Sequence, residues 1–513
     1  MKKSACNSTH AILLDTKALR GDIKKRSLLG GLQTIAGEGI NFLLRLVSSA
    51  VLARLLIPED FGIIGMVTAF IAIAERFKDL GLSIATVQKR EITHEQVSNL
   101  FWINVLIGTL LMIILCAFSK VAAWFYADKR LVWIMIATST SFLWGGLTVQ
   151  HQAILWRKMQ FMRIAVVNIG TNILSILIAV IFAAKGYGYW ALVAKEMSRS
   201  FFLAAGTWLI CPWRPGLPAR NTNISNMIHL GRDITGFNLV TFFSQNIDQI
   251  LIGKNYGPGP LGIYKQAYQF MLLPISYLMF PAHNVAQPAL SILQNDASRY
   301  RQYYKKVVTL LSFVSMPAVI FLFLYSRDII LLLLGRKWIQ ASEIYRIMAV
   351  ASFFVPVTGT TGFVMLTLGK TRRYFFIGLA KAIILIFAFA IGVKWGVLGV
   401  AYGQLAANYI FVMPLLFLAF KETPISVKLF FSSILPSIMC SLFMGIILSL
   451  FSRANPSQNS LVTIAESLPI AVAAYFAAWI AIPGGRLKLK GLYSDFALIL
   501  RKGSNERAAS PSL

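Results

Sequence analysis

Long runs of apolar residues, separated by short polar segments, dominate the chain from about residue 28 to residue 482. Runs such as 166–184, 307–326 and 429–452 carry almost no charge and are about long enough to cross roughly 30 Å of hydrocarbon. The pattern therefore predicts an all-α polytopic membrane protein with about fourteen transmembrane helices. Because the segments between the runs are short, no extramembrane domain is expected.

The predicted spans lie at 28–52, 61–83, 98–118, 131–150, 163–184, 188–211, 226–252, 262–283, 307–326, 341–367, 374–393, 396–420, 429–451 and 461–482. We divide them into an N-lobe of six helices (28–211), a cytoplasmic linker (212–225), a C-lobe of six helices (226–420) and two C-terminal helices (429–482). A basic N-terminus (1–27) and a basic tail (483–513) flank the spans. The tail is expected either to lie on the membrane surface or to be solvated.

A weak internal duplication supports the division into two lobes. Pro58 and Gly62, between the first two spans, recur as Pro258 and Gly262, 200 residues later and between the seventh and eighth spans. Because six spans separate the copies, the two halves have the same orientation, as in transporters built from parallel repeats. We therefore predict two pseudo-symmetric six-helix lobes, with chance coincidence of Gly and Pro as the alternative.

Charge decides the orientation. The chain has 49 Lys and Arg against 20 Asp and Glu, and only 13% of its residues are charged while 57% are hydrophobic. Most of the basic residues fall on the side that carries both termini, which predicts that both termini are cytoplasmic. A net charge of +29 is thus explained without a nucleic acid partner, and no nucleic-acid-binding motif is present. The four cysteines lack metal-ligand spacing, and neither a metal nor another cofactor is expected.

Polar residues inside two of the spans indicate a binding site. Glu38, Asn41 and Arg45 lie on one face of the first span, and Gln245 and Asp248 lie on one face of the seventh. Polar and charged side chains in hydrocarbon usually face a bundle interior or a wet cavity. We predict a polar cavity between the lobes, with hydrogen bonding between neighbouring helices as the alternative.

Several short motifs resemble a known family. In chain order they are Leu52-Ala-Arg-Leu-Leu-Ile-Pro-Glu-Asp-Phe-Gly62, Asp79-Leu-Gly81, Phe101-Trp-Ile-Asn104, Gly188-Tyr-Trp-Ala-Leu192, Trp213-Arg-Pro215, Asn246-Ile-Asp-Gln-Ile-Leu-Ile-Gly-Lys254, Leu261-Gly-Ile-Tyr-Lys-Gln-Ala-Tyr268, Leu334-Gly-Arg-Lys-Trp338 and Gly369-Lys-Thr371. Together they resemble the MOP (multidrug/oligosaccharidyl-lipid/polysaccharide) exporter superfamily, and within it the Wzx-type polysaccharide flippases of the colanic-acid and teichuronic-acid exporter branch.

The resemblance implies a flippase of the bacterial inner membrane that uses alternating access. The implied cargo is an undecaprenyl-pyrophosphate-linked oligosaccharide, moved from the cytoplasmic to the periplasmic leaflet for exopolysaccharide, O-antigen or capsule synthesis. It also implies contact with membrane lipids, a polysaccharide polymerase and a chain-length regulator, and cationic residues that hold the pyrophosphate. Relatives often have two arginines where this chain has Gln266 and Gln269, which leaves Lys265 as the cation in that stretch.

These observations lead to a specific hypothesis for the site. Arg45 is predicted to anchor the anionic headgroup with help from Lys265, while Glu38, Asn41, Gln245, Asp248 and Gln269 complete the binding set. The alternative is that Arg45 pairs with Asp248 and is structural. A MATE-type drug or cation antiporter and, less favoured, a membrane enzyme of polysaccharide assembly are the competing functions. Coupling to a proton or sodium gradient is compatible with the flippase hypothesis.

Overall fold

The structure is a computed structural model that describes residues 23–79, 81–89, 91–219, 246–281, 285–455, 459–483 and 485–486, which are helical and free of β-strands. The helices are α1 (Ile23–Leu55), α2 (Pro58–Glu75), α3 (Leu82–Gln88), α4 (His94–Tyr126), α5 (Arg130–Arg157), α6 (Phe161–Ala184), α7 (Trp190–Ile210), α8 (246–256), α9 (Pro258–Pro281), α10 (Gln287–Ile292), α11 (Ala297–Leu324), α12 (Ser326–Leu333), α13 (Ala341–Ala351), α14 (Val355–Thr358), α15 (Thr360–Thr367), α16 (Thr371–Gly392), α17 (Gly396–Phe420), α18 (Val427–Ala454) and α19 (Ser460–Ala481).

The predicted spans overlap these helices, although the second and tenth are each broken and the seventh (226–252) is described only from residue 246. The linker beyond residue 219, Gln245 and nearly all of both terminal segments lie outside the described residues. By length and composition alone, eight described helices can cross a membrane, or nine if the bent α13–α15 pair counts as one span. That count treats Thr371–Phe420, which contains α16 and α17, as a single run.

The second predicted span, 61–83, is wrong at its C-terminal end. Helix α2 stops at Glu75, and the chain turns through Gly81, whose φ of 71° is in the left-handed region that glycine tolerates. Asp79 then accepts a hydrogen bond of 2.9 Å from the Ser83 N–H and so begins α3. Local turn chemistry therefore ends the helix where hydropathy alone extends it.

The tenth predicted span, 341–367, is also not one helix. It breaks between Ala351 and Val355, and its two parts are bent by 42°. Pro356 lies in the first turn of the second part, where its missing N–H and fixed φ are tolerated. The hydropathy pattern indicates that both parts are apolar but does not indicate the break between them.

The chain folds into two compact units. The first comprises Met1–Gln266 together with Leu334–Trp338 and Val393–Val397, and the second comprises the remainder. In the first unit α1 packs on α6, α6 on α7, and α5 on both α4 and α7. The α4–α5 pair is close because Gly108 and Gly146 lie against backbone carbonyls of the facing helix. Small residues permit such backbone approach between membrane helices.

In the second unit, α11 packs against α18, and α18 packs against α19. Hydroxyl pairs join its helices: Ser312 and Ser437 are 2.9 Å apart, and Tyr300 and Thr367 are 2.8 Å apart. The two C-terminal helices are therefore packed parts of this unit rather than appendages. The boundaries of the predicted lobes themselves stay a prediction.

The duplicated Pro-Gly segments meet in the first unit. An ideal Cβ on Gly62 would lie 1.6 Å from the carbonyl oxygen of Pro258, and one on Gly262 would lie 1.8 Å from that of Pro58. Each copy of the motif thus presents its glycine to the proline carbonyl of the other copy. We call these four residues the glycine seam. Their reciprocal contact gives a physical reason for the same two residue types recurring at equivalent positions.

We expect Gly62→Ala to force α2 and α9 apart, because the added methyl group would overlap the Pro258 backbone and not a movable side chain. Overpacking of this kind costs about 1–3 kcal/mol, which thermal unfolding of the purified protein in detergent would detect. Gly259→Ala is the matched control, since a Cβ there meets nothing within 4 Å. Equal stability of the two variants would contradict the seam.

Candidate functional site

A polar cavity of about 70 Å³ lies in the first unit among α1, α6 and α7. It is lined by Glu38, Asn41 and Arg45 on α1, by Asn168, Thr171 and Asn172 on α6, and by Arg199 and Leu203 on α7. Apart from the adjacent Thr171 and Asn172, the lining residues on each helix are three, four or seven positions apart, which places them on one face. Three of the seven predicted site residues are therefore brought together.

Asn172 connects the three helices through hydrogen bonds. Its side-chain Nδ2 donates to Oδ1 of Asn41 at 2.8 Å. Its side-chain Oδ1 accepts a hydrogen bond from Arg199 Nε at 3.3 Å. Asn41 is 4% exposed, so its amide depends on this partner. The sequence offered two interpretations of the polar face of α1, a cavity lining and hydrogen bonding between helices. The structure shows both, because this face bonds to a neighbouring helix and also lines a cavity.

The cavity and its margin have an excess of positive charge. Arg45 is exposed, and no ion pair joins it to Glu38 or to another residue in the described part of the chain. Two turns of helix, about 10 Å, separate Glu38 from Arg45. Lys195 Nζ donates to the Ser48 hydroxyl at 2.8 Å, so its nearest bonded partner is neutral.

Arg199 has a weak acidic partner in Glu196, with 3.5 Å between Nη1 and Oε1, and both side chains are more than 40% exposed. Exposed pairs of this type contribute little. Glu196 is also close enough to Lys195 to attract its charge, while Arg199 and Arg45 are close enough to repel it. Three cations therefore share one region with incomplete compensation, which is the electrostatic arrangement that an anionic ligand would stabilise.

The predicted residue Asp248 lies apart from this cavity. It is on α8, is 2% exposed, and accepts a hydrogen bond of 2.7 Å from the Tyr264 hydroxyl. The structure therefore does not bring Asp248 to Arg45, and the alternative in which those two residues pair is wrong.

The predicted residues of α9 also lie apart from the cavity. Lys265 Nζ donates to the Thr68 hydroxyl on α2 at 2.8 Å, and Gln269 is partly buried one turn further along α9. Gln266, noted in the sequence only because it replaces an arginine, is 1% exposed and accepts a hydrogen bond of 3.2 Å from Ser49. The start of α9 is therefore bonded to α1 through the neutral Gln266 and to α2 through the cation Lys265.

Sequence reasoning missed the contribution of α6. Asn168 and Asn172 are one turn apart in a span that is otherwise almost wholly apolar, and this spacing was the available signal. Lys195 and Arg199 are visible as charges in the sixth span, but the sequence does not decide whether they face inward. The described residues hold no group of three or more His, Cys, Asp or Glu side chains that could bind a metal ion.

Comparison with known proteins now defines the class. Residues 51–343 match the family model described as polysaccharide biosynthesis protein, and the chain belongs to that family. It is 25% identical over 372 residues to the teichuronic acid biosynthesis protein TuaB of Bacillus subtilis, covering 69% of this chain and 74% of the relative. It is 21% identical over 441 residues to the lipopolysaccharide biosynthesis protein WzxC of Escherichia coli, covering 83% and 89%.

Solved structures share the fold. The lipid II flippase MurJ in an inward closed conformation gives a TM-score of 0.72 at 17% identity, covering 88% of this chain and 97% of that chain. An inward-facing multidrug resistance MATE transporter of the MOP superfamily gives a TM-score of 0.59 at 13% identity, covering 73% of this chain and 93% of that chain. The predicted all-α membrane fold class is confirmed: the chain belongs to the polysaccharide biosynthesis protein family and shares its fold with these solved transporters.

We expect Asn172→Ala to destabilise the first unit, because it leaves the buried Asn41 amide and Arg199 without their shared partner. Hydrogen bonds between membrane helices contribute about 0.5–2 kcal/mol, so thermal unfolding in detergent should shift measurably. Asn168→Ala is the control, since Asn168 lines the same cavity without a hydrogen bond in the described part of the structure. A larger effect of Asn168→Ala would refute the bridging role of Asn172.

Proposed function

We propose that this protein is a flippase that moves a lipid-linked oligosaccharide repeat unit from the cytoplasmic to the periplasmic leaflet of the inner membrane. The observation that carries the proposal is the under-compensated cluster of Arg45, Lys195 and Arg199 at the polar cavity of α1, α6 and α7. Charged groups are costly inside a membrane and are retained there mainly for function.

A phosphate-bearing headgroup fits this cluster. Guanidinium groups make paired hydrogen bonds to phosphate oxygens, and Arg45 is exposed and has no ion pair among the described residues, so its donors are available. Asn168 and Thr171 supply neutral hydrogen-bonding groups beside it. The cavity of about 70 Å³ is too small for an oligosaccharide, so the sugars would occupy space beyond it. We therefore assign to the cavity the recognition of the charged linkage and not of the sugar.

The relatives support a polysaccharide precursor as the cargo. TuaB and WzxC are named for teichuronic acid and lipopolysaccharide biosynthesis, and MurJ is named a lipid II flippase. On this basis the proposed substrate is an undecaprenyl-pyrophosphate-linked repeat unit for exopolysaccharide, O-antigen or capsule synthesis. A polysaccharide polymerase and a chain-length regulator would then act on the exported unit.

The proposed mechanism is alternating access between an N-lobe and a C-lobe, with both termini in the cytoplasm. In this proposal Arg45 holds the headgroup while the cavity is open to the cytoplasm, and release follows when the site opens to the other side. A drug or cation antiporter is less consistent with the site, because the cluster would repel a cationic cargo.

We expect a deletion strain to accumulate lipid-linked repeat units on the cytoplasmic leaflet and to lose surface polysaccharide. Arg45→Ala should fail to restore export, with a loss of about tenfold to hundredfold because a charge-assisted contact is removed. Arg45→Lys should restore part of it, and Lys185→Ala, at an exposed position, is the control. Normal export by Arg45→Ala at equal protein abundance would exclude the anchor role, and altered drug resistance with intact polysaccharide would favour the antiporter.

Reporter fusions test the orientation. A fusion after Arg220, between the proposed lobes, should report a cytoplasmic location, whereas one after Lys129 should report the periplasm, because the Lys and Arg bias places the termini inside. Active alkaline phosphatase after Arg220 would overturn the topology and the parallel arrangement of the two halves together.

A further inference from the structure

Asp248 on α8 is a buried acid without a positive partner in the described part of the chain. Its carboxyl is 2% exposed, Oδ2 accepts a hydrogen bond of 2.7 Å from Tyr264, and Oδ1 is enclosed without a hydrogen-bond partner among the described residues. An ionised carboxylate in such surroundings is far more costly than the neutral acid. Oδ1 is thus an acceptor without a hydrogen-bond partner among the described residues, in surroundings that tolerate charge poorly.

The cations of the same region bind elsewhere. Lys254 Nζ donates to the Phe125 carbonyl oxygen and lies 4.8 Å from the centre of the Phe125 ring, and Lys265 Nζ donates to Thr68. No described lysine, arginine or carboxylate contributes to the electrostatic surroundings of Asp248. Tyr264 on α9 is the titratable group that faces it, and as a phenol it is a neutral donor.

These contacts favour a proton over a metal ion as the ligand. A metal ion such as sodium or calcium requires several oxygen atoms around one point. Among the described residues Oδ1 has no hydrogen-bond partner, and the backbone N–H groups of Asp248 and Gln249 that act on the carboxyl are donors, which do not bind cations. A proton needs only one oxygen. In one arrangement the proton is on Oδ1 and the Tyr264 hydroxyl donates to Oδ2. In the other arrangement the proton is on Oδ2, which then donates to the Tyr264 oxygen.

The position of Tyr264 connects this acid to the glycine seam. Tyr264 is two residues beyond Gly262, and the next two residues, Lys265 and Gln266, bond to Thr68 and Ser49. The Tyr264–Asp248 bond is therefore one of the contacts that hold the first turns of α9 in the first unit. An ionised Asp248 carboxylate would need water or another polar group beside it.

We propose that Asp248 is a proton-binding site whose occupancy holds the glycine seam closed, so that one proton binds and leaves Asp248 in each opening and closing of the seam. This makes the proton the coupling ion of the transporter, whichever lipid-linked sugar it carries. Since the closed seam retains the proton and the open seam releases it, closure is favoured at low pH and is lost as pH rises.

The proton itself can be observed in the full-length protein in lipid nanodiscs. Infrared spectroscopy separates the carbonyl stretch of a protonated carboxylic acid from that of a carboxylate. We expect one such band from a protected acid at neutral pH, its absence in Asp248→Asn, and a shifted band in Tyr264→Phe, which keeps the acid but removes the donated hydrogen bond. If Asp248→Asn does not fold, an unshifted band in Tyr264→Phe overturns the proposal.

Opening of the seam is measured in the same preparation. In a background without the four native cysteines, Leu261→Cys places a thiol at a position that is 0% exposed beside Gly65 and Gly253. Its alkylation rate is normalised to Lys185→Cys, an exposed position, which removes the pH dependence of the thiol chemistry. A single linked proton allows up to about a tenfold change per pH unit, and we expect the normalised rate to rise with pH in this way.

Adding Asp248→Asn should abolish the rise, leaving a change of less than about twofold, because the amide mimics the permanently protonated acid. An unchanged pH dependence in that variant, or a dependence on sodium at constant pH, would overturn the proton assignment. These measurements use no lipid-linked sugar, so their failure is distinct from failure of Arg45→Ala to show an export defect.

Discussion

The hydrogen-bonded chain from Asn41 through Asn172 to Arg199 is the interaction on which the candidate site depends. Within a membrane there is no bulk water to satisfy an exposed amide, so a polar stripe on one helix must meet polar groups on its neighbours. Helix α1 meets that requirement with α6 and α7, and the same contact fixes which faces of the three helices border the cavity. Site geometry and helix packing are thus set by one constraint.

The site leaves its positive charge incompletely compensated, while two of its amides hydrogen-bond to each other. Asn41 and Asn172 bond to each other, whereas Arg45 has no ion pair among the described residues and Lys195 bonds to a hydroxyl. Full compensation by acidic residues would stabilise the empty protein but would remove the attraction for an anionic headgroup. The opposite arrangement holds at Asp248, where the described surroundings enclose a single acid without a cation. In our two proposals, the cations attract an anionic headgroup and the buried acid binds a proton.

The glycine seam shows how the duplicated sequence is used. Pro58 and Gly62 on one helix meet Gly262 and Pro258 on another, so each copy supplies both the small residue and the carbonyl that packs against it. Such a contact excludes side chains and brings backbones together. Placing Tyr264 and its bond to Asp248 immediately beyond the seam links the packing of the backbone to the state of one acid.

The sequence by itself determined the all-α membrane class, because hydropathy depends on residue identity along the chain and needs no three-dimensional partner. The orientation indicated by the Lys and Arg bias and the two lobes indicated by the Pro-Gly repeat stay predictions. The sequence also identified the stripe of Glu38, Asn41 and Arg45, since periodicity places these residues on one face. The sequence did not predict the helix breaks after Glu75 and Ala351, because turn and cap interactions end these helices although the sequence stays apolar. The sequence also did not predict the hydrogen-bond partners of this stripe. The face of α6 or α7 that meets α1 is set by packing between segments about 130 residues apart. The separation of Asp248 from Arg45 was likewise decided only by the tertiary structure, through the bond that Tyr264 makes across from the next helix.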